Sequence, residues 1–164
     1  QAANPLFADG RAMRPVVAGT VARGRLDTDT HRVRGKIDDA WVDAFPMPVT
    51  RERLERGRGR YDVFCAECHG LSGYGDGPIH RRAETLEESR WIPPTTFHDD
   101  TIRNQPVGQL FDTITNGIRT MPAYGPQIPV DDRWSIVAYM RALQRSQHAS
   151  LDNVPAEERE KLEP

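Results

Sequence analysis

The chain has almost no lysine, no long apolar run and only two cysteines. Lys36 and Lys161 stand beside 20 arginines, and the formal net charge is only -2. That balance leaves no basic footprint for nucleic acid. No run of about 20 apolar residues is present to cross a bilayer, and no signal peptide is visible. Two cysteines are too few for a disulfide framework that would report the redox compartment. A structural zinc site needs about four ligands, usually with a second close-spaced Cys or His pair, and there is none. The glycines between Gly70 and Gly77 follow no strand and open no phosphate-capping helix in register, which excludes a nucleotide fingerprint.

The two cysteines stand in Cys65-Ala66-Glu67-Cys68-His69. This is the spacing of a c-type haem attachment site. Two thiols three positions apart on one helical turn can each add to a haem vinyl group, and the adjoining imidazole then meets the iron as proximal ligand. A thioredoxin-like redox pair would follow a buried strand. Here Leu54 to Phe64 reads as an amphipathic helix instead.

Around this motif the chain divides into three parts. Residues 1–48 are punctuated by glycine and proline and form an arm without its own core. Short β-like pieces at Val16-Val17 and His31 to Arg34 are candidates for pairing, while Trp41, Phe45 and Val49 are apolar anchors. The arm is expected to be ordered against the haem domain or a neighbouring subunit. Residues 49–147 form the haem domain. Residues 148–164 are an acidic tail, mobile or used for docking.

Within the haem domain Thr50 caps a helix from Arg51 into the motif, with Glu52 in its first turn. Gly57 costs that helix about 1 kcal/mol relative to alanine. A close helix crossing with Tyr61 beside it would explain the glycine. Arg53, Arg56 and Arg60 share another stripe, read as a solvated face.

The glycine-rich segment to Pro78 suits a tight loop against a flat porphyrin, and Tyr74 in it is counted among the cofactor contacts. The carbonyl of Pro78, or that of Pro94, is a candidate acceptor for the Nδ1 proton of His69. Ile79 to Gln105 is a long connection with a helical stretch at Ala83 to Ser89. Arg81, Arg82, Arg90, Arg103 and Trp91 are its candidate propionate donors.

A helix from Pro106 to Thr115 ends at Asn116-Gly117, and a second from Asp131 to Gln144 carries Trp134, Ile136, Val137, Tyr139, Met140 and Leu143. Ile136 and Tyr139 are placed to meet Gly57 and Tyr61. Between the two helices an irregular loop presents Met121 before Pro122. Met140 lies on a helix and is assigned to packing. Met13 and Met47 lie in the arm, and Met47, also before a proline, is the main rival. Met121 is preferred as the second axial ligand.

A Gly-x-x-x-aromatic helix entering C-x-x-C-H, a later loop Met-Pro and an aromatic-rich last helix together resemble the class I cytochrome c fold. Further pieces resemble the monohaem cytochrome c subunit of bacterial alternative complex III: Phe7 to Gly10, Arg14-Pro15, Gly19 to Gly24, Phe45 to Thr50, Thr115 to Gly117, Met121-Pro122, Gln127 to Pro129, Arg133-Trp134 and Ala138 to Gln144. These resemblances imply a mainly α protein, with helices packed around one covalently bound haem c and a long irregular N-terminal extension. They imply an electron-transfer subunit that is not an enzyme on its own. The partners implied are the other subunits of a membrane-bound quinol-oxidising complex, with a periplasmic cytochrome or terminal oxidase as electron acceptor. The location implied is the periplasm or the outer face of the cytoplasmic membrane, as a peripheral or lipid-anchored subunit.

Two other classes compete. A haem enzyme or gas- and peroxide-binding protein would need a labile distal position with an acid or base such as His80 or His98. An assembly subunit would carry its haem as a spectator and work through the arm.

Overall fold

The computed structural model describes residues 3–12, 17, 19–21, 28–159 and 161. Val16, Met13, the Arg14-Pro15 pair and the acidic residues Glu160 and Glu163 lie outside them. The elements run α1 (Thr30–Arg34), β1 (Lys36–Ile37), β2 (Ala40–Trp41), α2 (Arg51–Phe64), α3 (Ala66–His69), α4 (Pro78–Thr85), α5 (Asp100–Arg103), α6 (Val107–Asn116), α7 (Val130–Ser146) and α8 (Ala156–Arg159), with a 3-10 turn at Leu151–Asn153. No helix among the described residues is long and apolar enough to cross a membrane.

Two long helices, α2 and α7, cross to make the frame. Thr50 starts α2 by accepting the Arg53 backbone N–H at 3.3 Å. Glu52 stands in the first turn, its carboxyl held below the usual range by the Thr50 side chain. At the crossing Gly57 is buried, with Ser135 and Tyr139 of α7 directly against it. Tyr61 lies beside it with its ring 5.4 Å from that of Tyr139. Ser135, rather than Ile136, faces the glycine, while Ile136 is fully buried in the core. The rest of that core is Val42, Tyr61, Ala66, Phe97, Val107, Leu110, Phe111, Ile114, Ile128, Trp134, Val137 and Met140, with Phe111 stacked on Trp134 at 4.3 Å.

The arginine stripe of α2 is not simply solvated. Arg56 and Arg60 both donate to Asp132 in the first turn of α7, at 2.8 and 2.9 Å. Asp132 is buried, and its Arg56 hydrogen bond heads the causes that hold its carboxyl below the ordinary aspartate range.

Part of the arm packs into the same core. His31 to Arg34 is helical rather than β-like, because Asp29 caps it by accepting the Arg32 N–H and Gly35 ends it in the left-handed region. The two-residue strands β1 and β2 then pair antiparallel as a hairpin, Lys36 against Trp41. Its base is fixed on the start of α6: Gly108 donates to the Val42 carbonyl at 2.9 Å, and Val42 to that of Gly35 at 3.1 Å. The indole N–H of the fully buried Trp134 donates to the Arg32 carbonyl at 2.7 Å. Phe45 and Met47 pack on the core as well.

The connection after the cysteine motif is helical earlier than its residues 83–89 suggest. It begins at Pro78, whose fixed φ and missing N–H suit a first helical position. In the tail, Ala156–Arg159 is a single helical turn.

Candidate haem site

α2 delivers the cysteine motif as its own continuation. Cys65 donates its backbone N–H to the Tyr61 carbonyl at 2.8 Å and then caps α3, so that Cys65, Cys68 and His69 share one tight turn. The loop from Gly70 to Gly77 folds back on it: Gly75 donates to the His69 carbonyl at 2.8 Å and Gly77 to that of Cys68 at 3.1 Å. These bonds satisfy carbonyls that a helix end leaves open. A Cβ at Gly77 would overlap the backbone of Ala66 and Glu67, and one at Gly73 would press into the Phe97 ring. The protein itself thus demands these glycines.

Burial drives the His69 imidazole down to about 4, so it is neutral at ordinary pH with a lone pair to give. Its Nδ1 is enclosed and has no hydrogen-bond partner. The bond expected from Nδ1 to the Pro78 or Pro94 carbonyl is therefore not formed. Pro78 opens a helix instead, and the Pro94 carbonyl lies close over Gly75. The ring is held by stacking on Phe97, with centroids 4.6 Å apart.

The loop that follows α6 returns to the cysteines. Ile118 and Met121 exchange both backbone hydrogen bonds, at 3.1 and 2.9 Å, with Arg119 in the left-handed region between them. Tyr124 donates its N–H to the Ile114 carbonyl at 3.0 Å and sets its ring edge-on to Phe64 at 6.5 Å. Burial, then the nearby sulfurs of Cys68 and Cys65, raise the Tyr124 phenol above its ordinary value. Met121, half-buried, packs on the core from this loop. Met47 lies before α2, whose 14 residues set the start of that helix about 20 Å from the cysteines. Met140 is buried in α7, as a packing residue should be.

Tyr74 and Trp91 are engaged elsewhere. Tyr74 is half exposed, donates its hydroxyl to Gln147 at 2.8 Å and lays its ring 4.4 Å from His98. Trp91 gives its indole N–H to His80 Nδ1 at 2.9 Å. Of the candidate propionate donors, Arg81 and Arg103 also have protein partners, Asp76 and Asp100. Sequence reading missed Phe97 on the imidazole and Tyr61 as a partner of the turn. The signal for the first was an aromatic three residues after Pro93-Pro94, which fold close to the glycine loop.

The donor set fits a covalently held haem. Both cysteines are free, and burial pushes the Cys65 thiol up to about 12. A dithiol redox centre needs a thiol lowered toward neutrality, the opposite of what burial does to Cys65. With Nδ1 enclosed, Nε2 is the nitrogen left to face a metal. No group of three His, Cys, Asp or Glu side chains among the described residues is placed to hold a metal ion by itself.

The comparisons with known proteins agree with this fold. The chain is similar to one from the Kuenenia stuttgartiensis reducing HAO-like protein complex Kustc0457/Kustc0458, with 22% identity and a TM-score of 0.50 over 69% of this chain and 54% of that one. It thus spans about half of that chain's length, and the likeness is one of fold. No curated protein matches. The family described as cytochrome c oxidase, cbb3-type, subunit III matches residues 52–140, from the first turn of α2 to Met140. That span is more than half of the chain and contains Cys65, Cys68, His69 and Met121, so the protein belongs to this cytochrome c family, has the class I cytochrome c fold and carries haem c on Cys65 and Cys68.

Proposed function

We propose that the protein is a one-electron carrier whose haem c has His69 and Met121 as axial ligands, and that it is not an enzyme on its own. The observation that carries this reading is the return of the Met121 loop to the cysteine turn, with Tyr124 against Phe64 and under the influence of both sulfurs. When bound, haem c supplies reversible uptake of a single electron. The chain supplies two thioether anchors, a neutral imidazole and a soft sulfur that favours the reduced metal. With His69 and Met121 both holding the iron, no coordination site would be left for a substrate. The histidines that a haem enzyme would use are committed elsewhere: His80 accepts from Trp91, and His98 Nε2 is bonded to the Ser72 carbonyl at 2.8 Å.

The carrier serves as the cytochrome subunit of a membrane-bound quinol-oxidising complex like alternative complex III. It receives electrons from a neighbouring subunit and passes them to a periplasmic cytochrome or terminal oxidase, in the periplasm or on the outer face of the cytoplasmic membrane. The motifs from Phe7 to Gln144 that resemble that subunit support this placement.

The test is the visible and near-infrared spectrum of the purified protein. A c-type reduced spectrum with a weak oxidised sulfur-to-iron band is expected. A high-spin spectrum that binds carbon monoxide readily at neutral pH would overturn the reading. The assignment to a complex is tested by purification from the native membrane through a tag on this chain: quinol-oxidising activity should accompany it, and recovery of the chain alone would refute it.

A further inference from the structure

We propose that Tyr61 is a positioning residue for the haem-ligating imidazole of His69, a proposal that rests on the ligand assignment above. Tyr61 grips the haem turn at both ends. Its backbone carbonyl accepts the N–H of Cys65 at 2.8 Å, where the turn begins. Its phenol donates to the carbonyl of Gly70 at 2.6 Å, where the turn ends and directly after His69. Tyr61 has no exposed surface, so water cannot replace that bond, and a buried carbonyl left without a donor is costly.

The same side chain also acts through its ring. Tyr61 meets Phe97 edge-on at 6.1 Å, and Phe97 stacks on His69 at 4.6 Å. The imidazole has no acceptor on Nδ1, so the hydrogen bond that commonly orients a metal-bound histidine is not available to do so here. Two contacts reach the ligand from Tyr61: the Phe97 ring stacked on one face of the imidazole, and the held carbonyl of Gly70, a residue whose missing side chain leaves its peptide free to reorient once released. Tyr61 bears on both, while Cys65 and Gly75 hold the His69 backbone. Because it also lies beside Tyr139 at the crossing of α2 with α7, the helix frame is mechanically joined to the axial ligand.

The experiment uses the full chain with haem attached and compares Tyr61→Phe, Phe97→Leu and Tyr139→Phe with the unmodified protein. The readouts are the midpoint potential and the spread of paramagnetically shifted haem methyl resonances in the oxidised form, which reports the plane of the axial imidazole. Tyr61→Phe keeps the ring and removes only the hydroxyl, and should shift both readouts. Phe97→Leu should shift them further, and Tyr139→Phe should leave them unchanged. If Tyr61→Phe lowers the melting temperature but moves neither readout, its role is structural and the proposal falls. If Tyr61→Phe fails to load haem, Phe97→Leu decides alone: unaltered methyl shifts overturn the proposal. An unmodified protein without a low-spin c-type spectrum would instead refute the ligand assignment itself.

Discussion

Gly57 on α2 lies so close to the Ser135 carbonyl of α7 that a Cβ at residue 57 would overlap it. The carbonyl belongs to a helix backbone and cannot swing away. Relief would require α7 to move, and α7 carries Tyr139 against Tyr61.

Gly57→Ala and Gly59→Ala should therefore have opposite signs. Alanine gains up to about 1 kcal/mol over glycine in a helix. At Gly59 nothing stands within 4 Å of the added carbon, so the gain is realised, at about 0.5–1 kcal/mol. At Gly57 the overlap costs about 1–3 kcal/mol and outweighs it. Urea unfolding of the two variants checks this, and equal midpoints would show that the helices do not cross at Gly57.

Met121→Ala should abolish the oxidised near-infrared band and lower the reduction potential, because a thioether ligand is lost. Met47→Ala should leave both untouched, since α2 separates Met47 from the cysteines. Met47 packs on the core but is only half-buried, so its removal should cost about 1–2 kcal/mol of stability, below the range for a fully buried methionine. The reverse pattern would reassign the ligand.

Much of this was legible in the chain, for physical reasons that differ by residue. The cysteine motif is a covalent requirement compressed into five positions. The Thr50 cap and Gly57 are local or single-residue signals, and each marks its element without help from afar. What escaped depends on distant partners. Asp132 stands 76 residues from Arg56, and Gln147 stands 73 from Tyr74, so neither pairing has a sequence period to betray it. The start of α4 was legible in principle, since Gly77-Pro78 is a helix-opening pair. The β-like look of His31 to Arg34 yields to its caps, Asp29 and Gly35.

The arm makes a further test. Residues 30–47 supply the carbonyl that satisfies Trp134, and Phe45 sets its ring edge-on to that indole at 5.9 Å. Phe45→Ala should therefore destabilise the haem domain by about 2 kcal/mol, below the range for a fully buried phenylalanine because Phe45 is only half-buried. Thermal unfolding followed at the haem absorbance checks it. An arm used for assembly alone would leave the melting temperature unchanged.

Asp132 gives a pH signature whose sign follows from its partners. Arg56 holds both carboxylate oxygens and Arg60 one of them, and the carboxyl is lowered from 3.8 in the folded protein. A group lowered by folding contributes stability that is fully present above its unfolded value and is lost as the pH falls through the folded one. Asp132→Asn keeps an acceptor but removes the charge, and at neutral pH it should cost about 1.5–3 kcal/mol, the range for hydrogen bonds to charged groups. The gap between wild type and variant should be constant above about pH 5 and close progressively as the pH falls through the unfolded value of 3.8 and below it. Arg56 is half exposed, so added salt should narrow the gap as well. A gap that persisted unchanged into acid would mean that the loss comes from shape or packing at the N-terminus of α7, and not from the charge shared between the two helices.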